Sequence, residues 1–299
     1  MKSKINRIKK LKNAVILAHY SAPAEVQKIA DYVGDSFYLA KIAKESTADV
    51  ILLCGVSFMA ESAKLLNPNK KVLVPDLSAD CPMAHMVGTD TIEEMRRKYE
   101  DLAVVCYINS TAQLKCMSDV CVTSSNAVKI VKALPNQNIF FIPDRNLGHY
   151  VAQRVPEKNV MLNDGCCPIH AALTVEQVKA EKGKHPGALV LTHPECEEEV
   201  LAVSDYIGST AGIIAFAKNS GAQEFIVCTE DEVGYQLMCD NPEKRFYFTE
   251  PGLCCADMKL NTLERVLAVL EKEDCVVELG MDTQTDALAP LDRMLELAE

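Results

Sequence analysis

Thirteen cysteines are spread along the 299 residues, and three of them stand apart by their spacing. Cys81, Cys167 and Cys255 follow one another at steps of 86 and 88 residues, each shortly after a short strand-like run. Three thiolates with no fourth in register make a metal site with an open position. Structural zinc sites are closed by four ligands, usually close pairs in sequence, and no Cys-x-x-Cys occurs in this chain. Soft thiolates favour an iron–sulfur cluster instead. A cubane held by three cysteines leaves one iron free to act on a substrate oxygen as a Lewis acid. Two alternatives stay open at this level. The three recur simply as core cysteines of homologous units, or the ligands are the neighbours Cys166 and Cys254.

Other polar residues keep the same period. His19, Tyr107 and His193 each follow an apolar run, and Ser21, Asn109 and Glu195 stand two residues further on. Asp31, Asp119 and Asp205 come next, then the hydroxyls Ser36, Ser124 and Thr210. Hydroxyls at helix starts are natural N-caps, but together with free backbone N–H groups they also bind carboxylates and phosphates. Three of them predict a small substrate with two or three anionic groups. Two histidines and a tyrosine in register read as proton donors and acceptors around one ligand. Glu195 is the candidate general base, on the expectation that a dry pocket raises its pKa toward neutrality. His85, His149 and His185 fall outside the register and read as ordinary surface or structural residues. Cys54, Cys106, Cys121 and Cys228 lie in apolar runs and read as small buried hydrophobes.

These residues need elements to position them. Apolar runs at 14–18, 102–106 and 188–192 are followed in register by runs at 50–54, 138–142 and 224–228, then 71–75, 159–163 and 245–249. Helix-like stretches at 37–44, 126–134 and 213–219 separate the first two sets. A period this long marks a triplicated domain. Short apolar strands alternating with helices predict an α/β protein with parallel sheets. Right-handed crossovers put all strand C-terminal ends on one edge, where ligands bind. The expected division is 1–90, 91–172 and 173–258 for three units related by a pseudo-threefold axis around the cysteines. Residues 259–299, read as a helix, a possible strand at 275–279 and a second helix, are expected to pack back on the first unit.

With 48% hydrophobic and 24% charged residues the chain reads as globular. A formal charge of −11 argues against nucleic acid or an anionic membrane as the main partner. No apolar run approaches the roughly 18–20 residues of a membrane span, and the lysine-rich start lacks the pattern of a signal peptide. The expected address is the cytoplasm.

The motifs resemble the quinolinate synthase family over nearly the whole chain. They include Gly34-Asp35-Ser36, Gly55-Val56-Ser57-Phe58-Met59-Ala60-Glu61, Tyr107-Ile108-Asn109-Ser110-Thr111 and Thr123-Ser124-Ser125-Asn126-Ala127. They continue with Pro143-Asp144-Arg145-Asn146-Leu147-Gly148, Cys167-Pro168-Ile169-His170, His193-Pro194-Glu195-Cys196, Gly208-Ser209-Thr210 and Met258-Lys259-Leu260-Asn261-Thr262-Leu263. The resemblance implies three three-layer α/β/α domains and a 4Fe–4S cluster held by Cys81, Cys167 and Cys255. It implies condensation of iminoaspartate with dihydroxyacetone phosphate, losing phosphate and two waters, to give quinolinate for NAD biosynthesis. A coupling to the enzyme that supplies iminoaspartate follows from that chemistry. His19, Ser36, Tyr107, Asn109, Ser124, His193, Ser209 and Thr210 would hold substrate, and Glu195 and Tyr107 would move protons. The family usually carries a tyrosine where this chain has Ser21, and often a histidine where it has Cys166. Two other readings compete: a diphthamide-synthesis-like enzyme that cleaves S-adenosylmethionine at such a cluster, and an iron or oxygen sensor.

Overall fold

A computed structural model describes residues 1–298. The first unit contains β1 (Ala14–His19), β2 (Tyr32–Gly34), β3 (Val50–Cys54) and β4 (Lys71–Leu73). The second contains β5 (Leu102–Tyr107), β6 (Val120–Val122), β7 (Asn138–Ile142) and β8 (Asn159–Leu162). The third contains β9 (Leu189–Thr192), β10 (Tyr206–Ile207), β11 (Glu224–Cys228) and β12 (Arg245–Phe248). Each set forms a parallel four-stranded sheet of the same order, β2-β1-β3-β4, β6-β5-β7-β8 and β10-β9-β11-β12. The triplicated α/β architecture expected from the sequence is therefore present.

Burial explains why the strands read as nearly continuous apolar runs. All five residues of β3 and all six of β5 are buried, as in sheets covered on both faces. Alternate side chains go to opposite sides. Leu17, Ile51 and Leu53 join one core, while Ile16, Ala18, Leu52 and Cys54 join another. In the third unit Val190 and Ile226 face one core, and Leu191, Phe225 and Val227 face the other. Cys54, Cys106, Cys121 and Cys228 are buried in these layers.

The repeated aspartates have a structural task. The Asp31, Asp119 and Asp205 carboxylates accept the backbone N–H of Ile16, Val104 and Val190 at 2.8, 2.7 and 2.8 Å. Their own N–H groups donate to the carbonyls of the same three residues at 2.8, 2.9 and 2.9 Å. Each aspartate thus pins the chain entering the short outer strand to the inner strand beside it.

The C-terminal segment divides its packing between two units. Helix Leu263–Lys272 lies against helix Lys2–Leu11 of the first unit. Residues 275–277 line the edge of β4, with Val74 N–H donating to Cys275 O and Val277 N–H to Val72 O at 3.1 and 2.9 Å. Helix Met281–Ala298 then crosses onto β6 and helix Ala112–Cys116 of the second unit, as well as helix Ser57–Leu66 of the first. This helix thus touches the second unit as well as the first, and its Ala287, Leu291 and Met294 are buried in the core that the two units share.

Replacing one clamp should be measurable without reaching the central cavity. Asp119→Ala leaves the Val104 N–H without its acceptor and is expected to cost about 1–3 kcal/mol, read by denaturant unfolding. Asp119→Asn keeps an acceptor oxygen and should cost less.

Candidate active site

In the strand order 2-1-3-4 the chain leaves the first strand in one direction and returns to the other side of it for the third. The crevice beyond the C-terminal ends of those two strands is where open α/β sheets bind ligands. Here three such crevices open into one cavity of about 220 Å³, lined from all three units.

Cys81, Cys167 and Cys255 all line this cavity. Each stands at the head of a helical turn, Pro82–His85, Pro168–Ala171 and Ala256–Lys259 respectively. Burial pushes their thiols up, Cys81 to about 12 and Cys167 well above the ordinary range, with Glu195 adding to both. Cys255 is raised by the same cause. Such thiols become thiolates when a cation compensates the burial. The structure separates one neighbouring pair: Cys167 faces the cavity, while Cys166 is absent from its wall and directs its N–H to Met86 Sδ at 3.4 Å. Cys254 and Cys255 both reach the cavity, Cys254 as an exposed residue.

The first ring of expected residues also converges. His19, Tyr107 and His193 line the cavity, as do Ser21, Asn109 and Glu195. The Ser21 N–H donates to His19 Nδ1 at 3.1 Å, and the Glu195 N–H donates to His193 Nδ1 at 3.3 Å. The same local geometry recurs in two units, and it leaves each ring proton on Nε2. His193 Nε2 lies 3.2 Å from the Ser124 hydroxyl. Burial lowers His19 to about 4 and His193 to about 3, against the pull of Glu195, so both rings are neutral donors near pH 7. Asn109 Oδ1 is buried with no hydrogen-bond partner among the described residues. It is an acceptor left for a ligand.

Ser36, Ser124 and Thr210 line the cavity too, but none of them is the capping residue of its helix. Asp35 caps helix Ser36–Glu45, accepting Tyr38 N–H, and Ser209 caps helix Thr210–Asn219, accepting Gly212 N–H at 3.1 Å. The caps sit one residue earlier, which leaves the Ser36 and Thr210 hydroxyls available. Ser209, expected among the substrate contacts, is absent from the cavity wall, since its oxygen serves the cap.

Glu195 departs from the expected electrostatics. Burial alone would raise its carboxyl. The neighbouring His193 and His170 rings, with hydrogen bonds from His170 and the Tyr107 phenol, reverse that and hold it below the ordinary carboxylate range. The Tyr107 phenol is pushed well up by burial and by Glu195 itself.

His170 went unrecognised in the sequence as a functional residue. Its Nδ1 lies 2.8 Å from Glu195 Oε2 and 3.2 Å from Cys167 Sγ, and its Nε2 lies 3.0 Å from the Thr229 hydroxyl. The donor atoms of Cys167, His170 and Glu195 all lie within 4.8 Å of one another, close enough to share a metal. The corresponding positions are Ala84 and Met258, so the repeat gave His170 no companion. Asp144 and Glu230 were missed as well. Both stand two residues past an inner strand, but the first unit has Val56 there. His85, read as an ordinary residue, pairs with Asp80 at 2.7 Å at the cavity rim.

The buried neutral rings carry a pH signature. Their ordinary pKa is 6.5, so below that value the unfolded chain takes up protons that the folded chain refuses. Stability should therefore be lost as the pH falls from about 6.5 toward 4, by roughly 1 kcal/mol per pH unit for each ring. Denaturant titrations across this window check it, and His193→Gln should flatten the slope.

Comparison with known proteins gives the family of the chain. The family model described as "Quinolinate synthetase A protein" matches residues 3–296. A quinolinate synthase of Fusobacterium nucleatum is 50% identical over 298 residues, covering 100% of this chain and 99% of the relative. One from Caldicellulosiruptor bescii is 49% identical, with 99% and 98% covered, and one from Clostridioides difficile is 44% identical, with 99% and 97% covered. With this match running through all three units and the cavity between them, the chain belongs to the quinolinate synthase family.

Proposed function

We propose that this chain condenses iminoaspartate with dihydroxyacetone phosphate to quinolinate, losing phosphate and two waters, with a 4Fe–4S cluster held by Cys81, Cys167 and Cys255. The observation that carries the proposal is that three cysteines from three units and three hydroxyls near helix starts line one small cavity. The donor set fits the cluster, because one soft thiol from each of the three units can hold a cubane and leave one iron open. When bound, the cluster supplies a Lewis acid suited to the loss of a hydroxyl.

The remaining steps fall to the chain's own residues. Ser36 and Thr210 stand at the first turns of ten-residue helices, where free N–H groups and the helix dipole favour phosphate and carboxylate. Ser124 and Asn109 add a hydroxyl and an unpartnered amide oxygen. His19 and His193, neutral with Nε2 protonated, offer hydrogen bonds without adding charge. Glu195 is ionised, and the donors that lower its basicity, His170 and Tyr107, are the groups an arriving substrate would displace. Its carboxylate then takes the proton released on enolisation, and the Tyr107 phenol passes protons in imine formation and dehydration. The direct test is an anaerobic assay with iminoaspartate generated in place and dihydroxyacetone phosphate. Quinolinate is the expected product, and its absence from cluster-loaded protein would overturn the proposal.

The ligand assignment is expected to show an asymmetry between neighbours. Cys81→Ser, Cys167→Ser and Cys255→Ser should each abolish the cluster absorption after anaerobic reconstitution, while Cys166→Ser and Cys254→Ser retain it. Loss in Cys254→Ser with retention in Cys255→Ser would move the third ligand by one residue.

Ser21 leaves a short hydroxyl where the family carries a phenol, and loss of an acid–base partner typically costs about a hundredfold to ten-thousandfold in rate. Tyr20 does not substitute for it, because its ring packs against the outer core of the third unit and is absent from the cavity wall. Ser21→Tyr is therefore expected to raise kcat, and Tyr20→Phe to leave it nearly unchanged. The reverse pattern in the same assay would assign the proton relay to Tyr20.

A further inference from the structure

We infer that Asp80, Asp144 and Glu230 are positioning residues, one per unit, that aim the three cysteines by holding their backbone N–H groups. The inference rests on the cluster reading above and concerns how the chain presents its ligands. Asp80 Oδ1 accepts the N–H of Cys81 at 2.8 Å, Asp144 Oδ2 that of Cys167 at 3.2 Å, and Glu230 Oε1 that of Cys255 at 3.4 Å. Asp144 and Glu230 are buried, where a carboxylate is costly unless hydrogen bonds repay it.

Each carboxylate ties its cysteine to the end of an inner strand. Asp144 stands two residues past β7, and its other oxygen caps helix Arg145–Ala152 through the Leu147 N–H at 2.6 Å. Glu230 stands two residues past β11, and its second oxygen accepts the Glu232 N–H at 3.0 Å. The first unit has Val56 at that position and cannot do the same. There Asp80, the residue before the cysteine, reaches the Ser57 hydroxyl just past β3 instead. The same cysteine N–H is held in all three units by two different routes. A helix cap explains Asp144 alone; it does not explain Asp80, which caps nothing, or the arrival of all three carboxylates on equivalent N–H groups.

An N–H held this way fixes the rotation of the peptide ahead of each cysteine and with it the direction of the thiol. Outer partners of metal ligands typically contribute about 10–100-fold to metal retention. Asp80 is the best place to test this, being half-buried at the rim, where replacement does not endanger the fold. Asp80→Asn keeps an oxygen for Cys81 N–H and Ser57 and turns its amide N–H toward His85 Nε2, which lies 2.7 Å from the other oxygen. Asp80→Ala keeps neither. In Asp144→Asn a single amide oxygen must serve two N–H donors that now use separate oxygens, so one is abandoned.

The readout is the rate at which anaerobically reconstituted protein loses its cluster absorption to an iron chelator, with iron and sulfide counted per chain. Asp80→Ala should lose its cluster about tenfold faster than the parent or more, Asp80→Asn within about twofold of it, and Asp144→Asn faster than Asp80→Asn. A purely electrostatic role would make Asp80→Asn lose its cluster as fast as Asp80→Ala, since both remove the same negative charge from the same place, and that result overturns the positioning role. So does an Asp80→Ala variant that holds its cluster as the parent does. Parent protein that assembles no cluster at all overturns the cofactor reading itself, and Cys81→Ser serves as the control that separates the two failures.

Discussion

The arrangement depends on a constraint of parallel sheets: every strand in a unit must end on the same edge. With the order 2-1-3-4 repeated three times, the residues after the first and third strands of each unit face a common crevice. Three crevices meeting at one cavity bring together cysteines that are 86 and 88 residues apart in sequence. The aspartate clamps reinforce this, because Asp31, Asp119 and Asp205 hold the outer strand against the inner one. A slip there would displace the hydroxyls that follow the outer strands.

Within the cavity, charge is kept to what the chemistry uses. His19 and His193 are neutral because burial opposes their protonation, and both present Nε2–H because a backbone N–H two residues on occupies Nδ1. Glu195 is ionised because His170 and Tyr107 direct hydrogen bonds to its carboxylate. A carboxylate stabilised this way takes up a proton more readily once its donors are drawn elsewhere. His170 couples that carboxylate to the cysteine side of the cavity, with one ring nitrogen near both Glu195 and Cys167. One imidazole thus connects the buried carboxylate with one of the three cysteines.

Quinolinate synthase membership and the cavity support each other from different directions. Identity of about half the residues covers the whole chain, while the cavity shows which side chains meet. Among the described residues no helix is long and apolar enough to cross a membrane. Ser21 lies on the cavity wall, and its backbone N–H serves His19. The histidine's orientation is therefore set by the main chain and does not depend on the side chain at this position.

Much of this was legible in the sequence because repetition turns spacing into structure. The register alone identified the inner strands and the rings headed by His19 and Ser21, and it narrowed the cysteines to Cys81 and the neighbouring pairs at 166–167 and 254–255. It also found the repeated aspartates, although not their clamping task, since a backbone partner leaves no trace in side-chain identity. Residues without counterparts in the other units were invisible to this method. His170 faces Ala84 and Met258 in the repeat, and Asp80 replaces through space what Val56 cannot do in register. The sign of the Glu195 shift also escaped, because a carboxylate in a dry pocket rises or falls according to the donors beside it. Sequence by itself determined the fold class, the three repeated units and many of the residues that line the cavity, because strand periodicity and repeat spacing can be read along the chain. Only the tertiary structure decided which oxygens cap helices, which remain available to a ligand, and how Glu195 is charged, because those outcomes depend on distances between segments far apart in the chain.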